Sequence, residues 1–311
     1  MKELWSSVFA AFLLVLLFTS CERAKPHRNL TYSISGDEVT ITGCDTSATS
    51  VTIPETIDGY PVTSIGICAF SGCTNLTSIT LPDSMTNIGL FAFEDCTNLS
   101  SVNISDLDAW CRIDFGNSKA TPLCCGAALY VNGVEPTEII FPDGMTSIKA
   151  DTFYNLKSLK AITIPDGVTS IGSTAFSGCT GLTSITLPDS MKRIGMSAFE
   201  NCTSLSSVNI SDLDAWCGID FFGSYDTPLC YGAALYVNGE KPMEVILPDG
   251  TTSIKNYTFC NLKSLKSITI PDSVISIGQY AFENCTGLTN VTIGNGVTSI
   301  GDYAFSGCTG L

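Results

Sequence analysis

The stretch Leu76-Thr-Ser-Ile-Thr-Leu-Pro-Asp-Ser-Met-Thr-Asn-Ile-Gly-Leu-Phe-Ala-Phe-Glu-Asp-Cys-Thr-Asn98 decides the fold, because it returns as residues 159–181, 182–204, 265–287 and 288–310. Self-similarity at a fixed period of 23 residues is the signature of a solenoid. In each copy apolar and polar residues alternate at Ile79-Thr80-Leu81, as in a short strand with one buried face. Pro82 then ends the strand, since proline cannot donate to a ladder. Five residues beyond Ile88 comes Phe93, and the same spacing holds at 65/70, 148/153, 171/176, 194/199, 254/259, 277/282 and 300/305, which predicts a ladder of stacked phenylalanines. One turn buries about six apolar side chains at roughly 1.5–3 kcal/mol each, against about 1–2 kcal/mol per residue to order its backbone. A turn is therefore stable only when stacked on its neighbours.

A larger repeat lies over the smaller one. Residues 76–181 align with 182–287 at an offset of 106 without a gap, with 78 of 106 positions identical, so a block of four turns was duplicated. Each block contains one longer unit, 99–135 and 205–241, beginning Leu-Ser-Ser-Val-Asn-Ile-Ser-Asp-Leu-Asp-Ala-Trp-Cys. The 311 residues thus resolve into four stretches: a targeting segment over 1–20, a polar tether over 21–30, a hairpin cap over 31–47 and the solenoid over 48–311, of about ten turns. The hairpin is read from alternation on either side of Gly36-Asp37. The chain stops at Leu311 as another unit begins, which suggests a truncated gene or an association surface.

The repeat resembles the BspA-like leucine-rich repeats of the LRR_5 type, whose turns carry the run Ile164-Pro165-Asp-Gly-Val168-Thr-Ser-Ile171-Gly-Ser-Thr-Ala175-Phe176-Ser-Gly-Cys179-Thr-Gly-Leu182. That resemblance covers about residues 48–311 and implies a β-rich right-handed solenoid. The longer unit, with its Trp-Cys and Leu-Tyr-x-Asn-Gly, occurs in relatives too. Members of the family are found on bacterial and some protist surfaces, where adhesion to host proteins or other cells is the usual proposal.

Composition narrows the chemistry. A formal net charge of −15 leaves no broad basic surface, so nucleic acid is excluded as the expected partner. His27 is the only histidine and lies in the tether, which removes histidine bases and multi-histidine metal sites. No cofactor motif and no unique polar constellation stands out, and no catalysis, metal or cofactor is expected. Lys2, the apolar run 8–18 and small residues before Cys21 read as an export signal; Leu17-Phe18-Thr19-Ser20-Cys21 resembles a bacterial lipobox, which implies lipidation of Cys21 and an outer-membrane, surface-exposed protein.

Several side chains are candidates for particular roles. Cys73, Cys96, Cys179, Cys202, Cys285 and Cys308 each follow the ladder phenylalanine by three residues, where other units carry Leu156 and Leu262, so they read as buried free thiols. The 13-residue spacing makes Cys111 with Cys124, and Cys217 with Cys230, the candidate disulfides. Asp106, Asp108 and Asp114, repeated as Asp212, Asp214 and Asp220, are open to reading as carboxylate pairs or calcium ligands, but their duplication favours solvated loop carboxylates. A file of outward hydroxyls, Ser78, Thr80, Thr163, Ser184, Thr186, Ser267 and Thr269, is the candidate binding face for a host or bacterial protein or glycan, with Trp110 and Trp216 as candidate aromatic anchors. Ser84, Ser190 and Ser273 stand in Asp-Ser-apolar triplets resembling the motif that Bacteroides-type bacteria O-glycosylate. Between the blocks, Thr86-Asn87 becomes Lys192-Arg193 where solvent is expected. The other reading of the whole is a structural spacer of a cell-envelope complex.

Overall fold

A computed structural model describes residues 29–311; Cys21, His27 and the export signal lie outside the described residues. The chain winds as a solenoid built on parallel strand pairing. Each regular turn has the predicted strand, such as Ser78–Thr80, and a second one, such as Asn87–Ile88, that the sequence reading did not assign. Eleven strands follow one another along the second row, from Glu38–Cys44 to Ser299–Ile300. Register matches the period: Ile162 pairs with Ile185, and Ile171 with Ile194, each 23 residues apart. At the start, Leu30–Ser35 folds antiparallel on Glu38–Cys44, which then pairs parallel with Tyr60–Ile65 and hands the hairpin over to the solenoid.

The interior is a set of ladders. Phe70 stacks on Phe93, Phe153 on Phe176 and Phe199 in turn, and Phe259 on Phe282 and Phe305, with centroids 5.0–5.6 Å apart. Each stacked pair is worth about 0.5–1.5 kcal/mol beyond the area it buries. Beside the rings runs a ladder of thiols: Cys96, Cys179, Cys202, Cys285 and Cys308 each donate from Sγ to the carbonyl of the phenylalanine one turn back, at 3.0–3.2 Å. The cysteines therefore do more than fill a small apolar position. Burial pushes the Cys96 and Cys202 thiols up to about 12, so they stay protonated and able to donate.

The longer units break these ladders and divide the sheets into three sections, 30–131, 138–237 and 244–300. In a regular turn the N–H of the ladder phenylalanine donates to the residue before the next phenylalanine, as Phe70 does to Ala92. Phe93 donates in the same way to Lys119 and Phe199 to Tyr225, so the residues at the ladder position of the longer units are Ala120 and Asp226. With no ring there, stacking stops. Trp110, on the short helix Leu107–Arg112, and Trp216, on Leu213–Cys217, are buried against Phe115 and Phe221 and reach across the break. Each indole N–H donates to the first turn beyond the break, Trp110 to the Thr152 carbonyl at 2.9 Å and Trp216 to that of Thr258 at 3.1 Å. These carbonyls stand where a phenylalanine N–H donates in a regular turn, so the tryptophan satisfies a buried acceptor that the interruption would otherwise orphan.

Candidate functional site

The outer side of the first-strand row carries the predicted hydroxyls. Ser78, Thr80, Ser184, Thr186, Ser267 and Thr269 are half-buried and Thr163 is exposed, alternating with buried isoleucines. Much of the hydroxyl chemistry is already used within the fold. Thr77, Thr183 and Thr289 donate to the carbonyls of Thr49, Lys160 and Lys266 one turn back, at 2.8–3.1 Å, and Asn103 and Asn209 donate from Nδ2 to Ser78 and Ser184. Ser84, Ser190 and Ser273 donate to Val62, Val168 and Thr251, each at 2.8 Å, and are half-buried. Small hydroxyl residues thus replace charge on this surface because they tie one turn to the next.

Two candidates change role. Trp110 and Trp216 are each 1% exposed, so neither ring is available to a partner and both belong to the junctions between sections. The spacing-based disulfides are absent, and Cys111, Cys124, Cys217 and Cys230 are free thiols. Cys111 and Cys217 are buried residues of the short helices themselves, while Cys124 and Cys230 direct Sγ at the Phe93 and Phe199 carbonyls, at 3.4 and 3.8 Å, as members of the thiol ladder. Leu156 and Leu262 each stand in the first turn after a break, where the ladder residue one turn back is Ala120 or Asp226 instead of a phenylalanine.

The acidic candidates have local partners. Asp106 and Asp212 cap the short helices, accepting from the Asp108 and Asp214 N–H at 2.8 and 2.7 Å. Asp114 pairs with Lys149 at 2.8 Å and Asp220 with Lys255 at 3.3 Å, stitching each longer unit to the following turn. Among the described residues no group of three His, Cys, Asp or Glu side chains is placed to hold a metal ion. One thiol pair is distinctive: the Cys124 and Cys125 sulfurs lie 3.5 Å apart, and the Cys124 thiol, by hydrogen bonding to its neighbour, lowers Cys125 to about 7 and is itself raised.

The sequence reading missed the apolar side chains that the outer faces expose. Ile140 and Ile246 occupy the outward position held by Thr163 and Thr269 in the paired strands, and are 86% and 74% exposed. Each opens a new sheet just after a longer unit and borders a shallow groove, of about 440 Å³ at Ile140 and about 630 Å³ at Ile246. Aligning Glu138-Ile-Ile-Phe141 with Ala161-Ile-Thr-Ile164 finds the substitution; strand pairing shows that it faces solvent. On the second-strand side a third groove, of about 500 Å³, runs past Lys149, Arg193, Met196 and Phe222.

Comparison with known proteins is consistent with this geometry. The BspA type leucine rich repeat region matches in six copies, over residues 42–113, 126–222 and 234–311. A leucine-rich cell surface protein from Faecalibacterium prausnitzii is similar in structure, with 25% identity, a TM-score of 0.57, and 91% of this chain and 79% of that chain covered. A leucine-rich repeat protein from Bacteroides ovatus aligns over 91% of this chain and 92% of its own at 24% identity and a TM-score of 0.42. No protein of curated function matches. No helix among the described residues is long and apolar enough to cross a membrane.

Proposed function

Because the chain belongs to the BspA-type leucine-rich repeat family, we propose that it is a non-catalytic cell-surface protein whose outer faces bind a macromolecule, a host or bacterial protein or glycan. The observation that carries this reading is Ile140 and Ile246. Exposed apolar side chains at outward positions of the strand that opens each sheet contribute nothing to the core and offer contact area to a partner. Their recurrence at one register in two sections lets weak contacts add. The likeness to a leucine-rich cell surface protein supports the location, and lipidation at Cys21 supplies the anchor in this reading.

The test is an array of extracellular-matrix proteins and glycans probed with the full chain. Saturable binding is expected, weakened at least tenfold when Ile140→Thr and Ile246→Thr are combined, since each exposed anchor that becomes buried is worth about 1–2 kcal/mol. An array without saturable binding overturns it in favour of a structural spacer. Palmitate labelling of wild type but not Cys21→Ala is the expected outcome for the anchor, and protease shaving of intact cells is expected to release the solenoid. A chain protected until the outer membrane is breached would remove adhesion.

A further inference from the structure

We infer that the groove across the second section binds an extended acidic peptide, with Arg193 taking a carboxylate and Met196 and Phe222 flanking an adjacent apolar side chain. The inference rests on the surface-binding reading and adds to it a second site, on the second-strand side, with a ligand class. The outward residues of the second strands run Ser64, Asn87, Asp114, Ser147, Ser170, Arg193, Asp220, Ser253, Ser276 and Ser299. Arg193 is the one cation in this row among the described residues. The flanking acids are already engaged: Asp220, its strand neighbour, pairs with Lys255, and Asp114 with Lys149. No ion pair forms at Arg193 among the described residues, and the guanidinium faces solvent beside exposed Lys192.

The apolar half of the site is as unusual as the charged half. Met196 is 64% and Phe222 is 58% exposed, and both border the groove. Between them and Lys149 the floor is Gly172 and Gly195, where a Cβ would fall 2.4 and 2.5 Å from the backbone of the turn before; close packing of turns keeps these positions bare and the groove open. The groove's volume of about 500 Å³ admits a few residues of extended chain. In the first block the matching residues are Asn87, Leu90 and Gly116, so a cation and a ring have been added together within otherwise repeated sequence. A thioether and a phenyl ring suit variable apolar side chains better than the hydroxyl-rich surface of a sugar. On a chain of net charge −15, an acidic peptide is repelled elsewhere and steered to this spot.

The experiment is fluorescence anisotropy on the full-length protein, using a fluorescein-labelled peptide with Glu-Leu-Phe-Glu between glycine-serine flanks. The same peptide with lysine for glutamate, polyglutamate and a glucuronate oligosaccharide serve as comparisons. Saturable binding of the acidic-apolar peptide alone is expected, weakened at least tenfold by Arg193→Asn, which removes the charge-assisted hydrogen bonds to its carboxylate. Phe222→Gly is expected to weaken it about tenfold. Both variants carry the first block's residue at an exposed position, and an unchanged thermal midpoint certifies their fold. Absence of binding, equal binding by Arg193→Asn, equal binding of polyglutamate with no effect of Phe222→Gly, or preference for the glucuronate would each overturn the proposal. Array binding that depends on Ile140 and Ile246 without any binding of the acidic-apolar peptide removes the groove alone; a blank array removes the broader reading.

Discussion

The two longer units solve one structural problem with different residues. Both must turn the chain without a ladder phenylalanine while keeping the N–H at the corner bonded. In the first, Asn117 Oδ1 accepts from the Phe91 N–H at 3.2 Å and the Lys119 N–H at 3.1 Å, and Ala120 sits inert at the ladder position. In the second, Gly223 replaces Asn117 and Asp226 replaces Ala120, and the carboxylate reaches out from the ladder position to accept from Ser197 at 2.7 Å and Phe222 at 2.8 Å. Ser197 is the counterpart of Phe91, 106 residues on. The acceptor has moved three residues along the chain while the donor has stayed. The corner N–H is bonded in both units, and which side chain supplies the acceptor is open to change.

What the units share is expected to have the largest effects. Trp110→Ala and Trp216→Ala each leave a cavity and an unpaired Thr152 or Thr258 carbonyl, and each is expected to cost about 3–5 kcal/mol in urea unfolding. Similar losses would make the junctions equivalent; a loss confined to one would break the comparison.

The substituted acceptor comes next. Asp226→Ala is expected to cost about 1–3 kcal/mol by stranding the Ser197 and Phe222 N–H groups, and adding Gly223→Asn, which imports the first unit's acceptor, is expected to restore the Ser197 share of it. Burial raises the Asp226 carboxyl above its ordinary value, against the backbone hydrogen bonds that lower it. The folded chain thus holds the proton more tightly than the unfolded one, so this contribution is complete below about pH 4 and is lost as pH rises through the folded value. Wild type is expected to lose stability relative to Asp226→Asn as pH rises from 4 to 7.

A smaller, kinetic contrast lies at the vicinal position, Cys125 in one unit and Tyr231 in the other. With its thiol lowered to about 7, Cys125 is expected to alkylate with iodoacetamide at pH 7 at least tenfold faster than Cys230, read by peptide mass mapping. The smallest effects belong to the exposed ion pairs. Lys149→Ala, which also loses a 2.7 Å hydrogen bond to the Arg112 carbonyl, is expected to cost about 0.5–1 kcal/mol, and Lys255→Ala less.

The regular turns were legible because each is fixed by short-range pattern. Alternation at Ile79-Thr80-Leu81, the stop at Pro82 and the five-residue step from Ile88 to Phe93 repeat wherever the turn repeats. The second strand was not, since Asn87–Ile88 is too short to show a period. The thiol-to-carbonyl bonds were hidden for another reason. Cysteine and leucine both read as small apolar positions until Leu156 and Leu262 are seen to follow a break.

The sequence by itself determined the solenoid, its period, the stacked rings and the family, because identical units can bury their apolar faces only against one another. Only the tertiary structure decided that the stack falls into three sections, that tryptophans seal the joints, and that Ile140, Ile246 and Arg193 face solvent. Those facts depend on which residue of a longer unit lands in register with its neighbours, and register across an insertion is set by hydrogen bonding between turns.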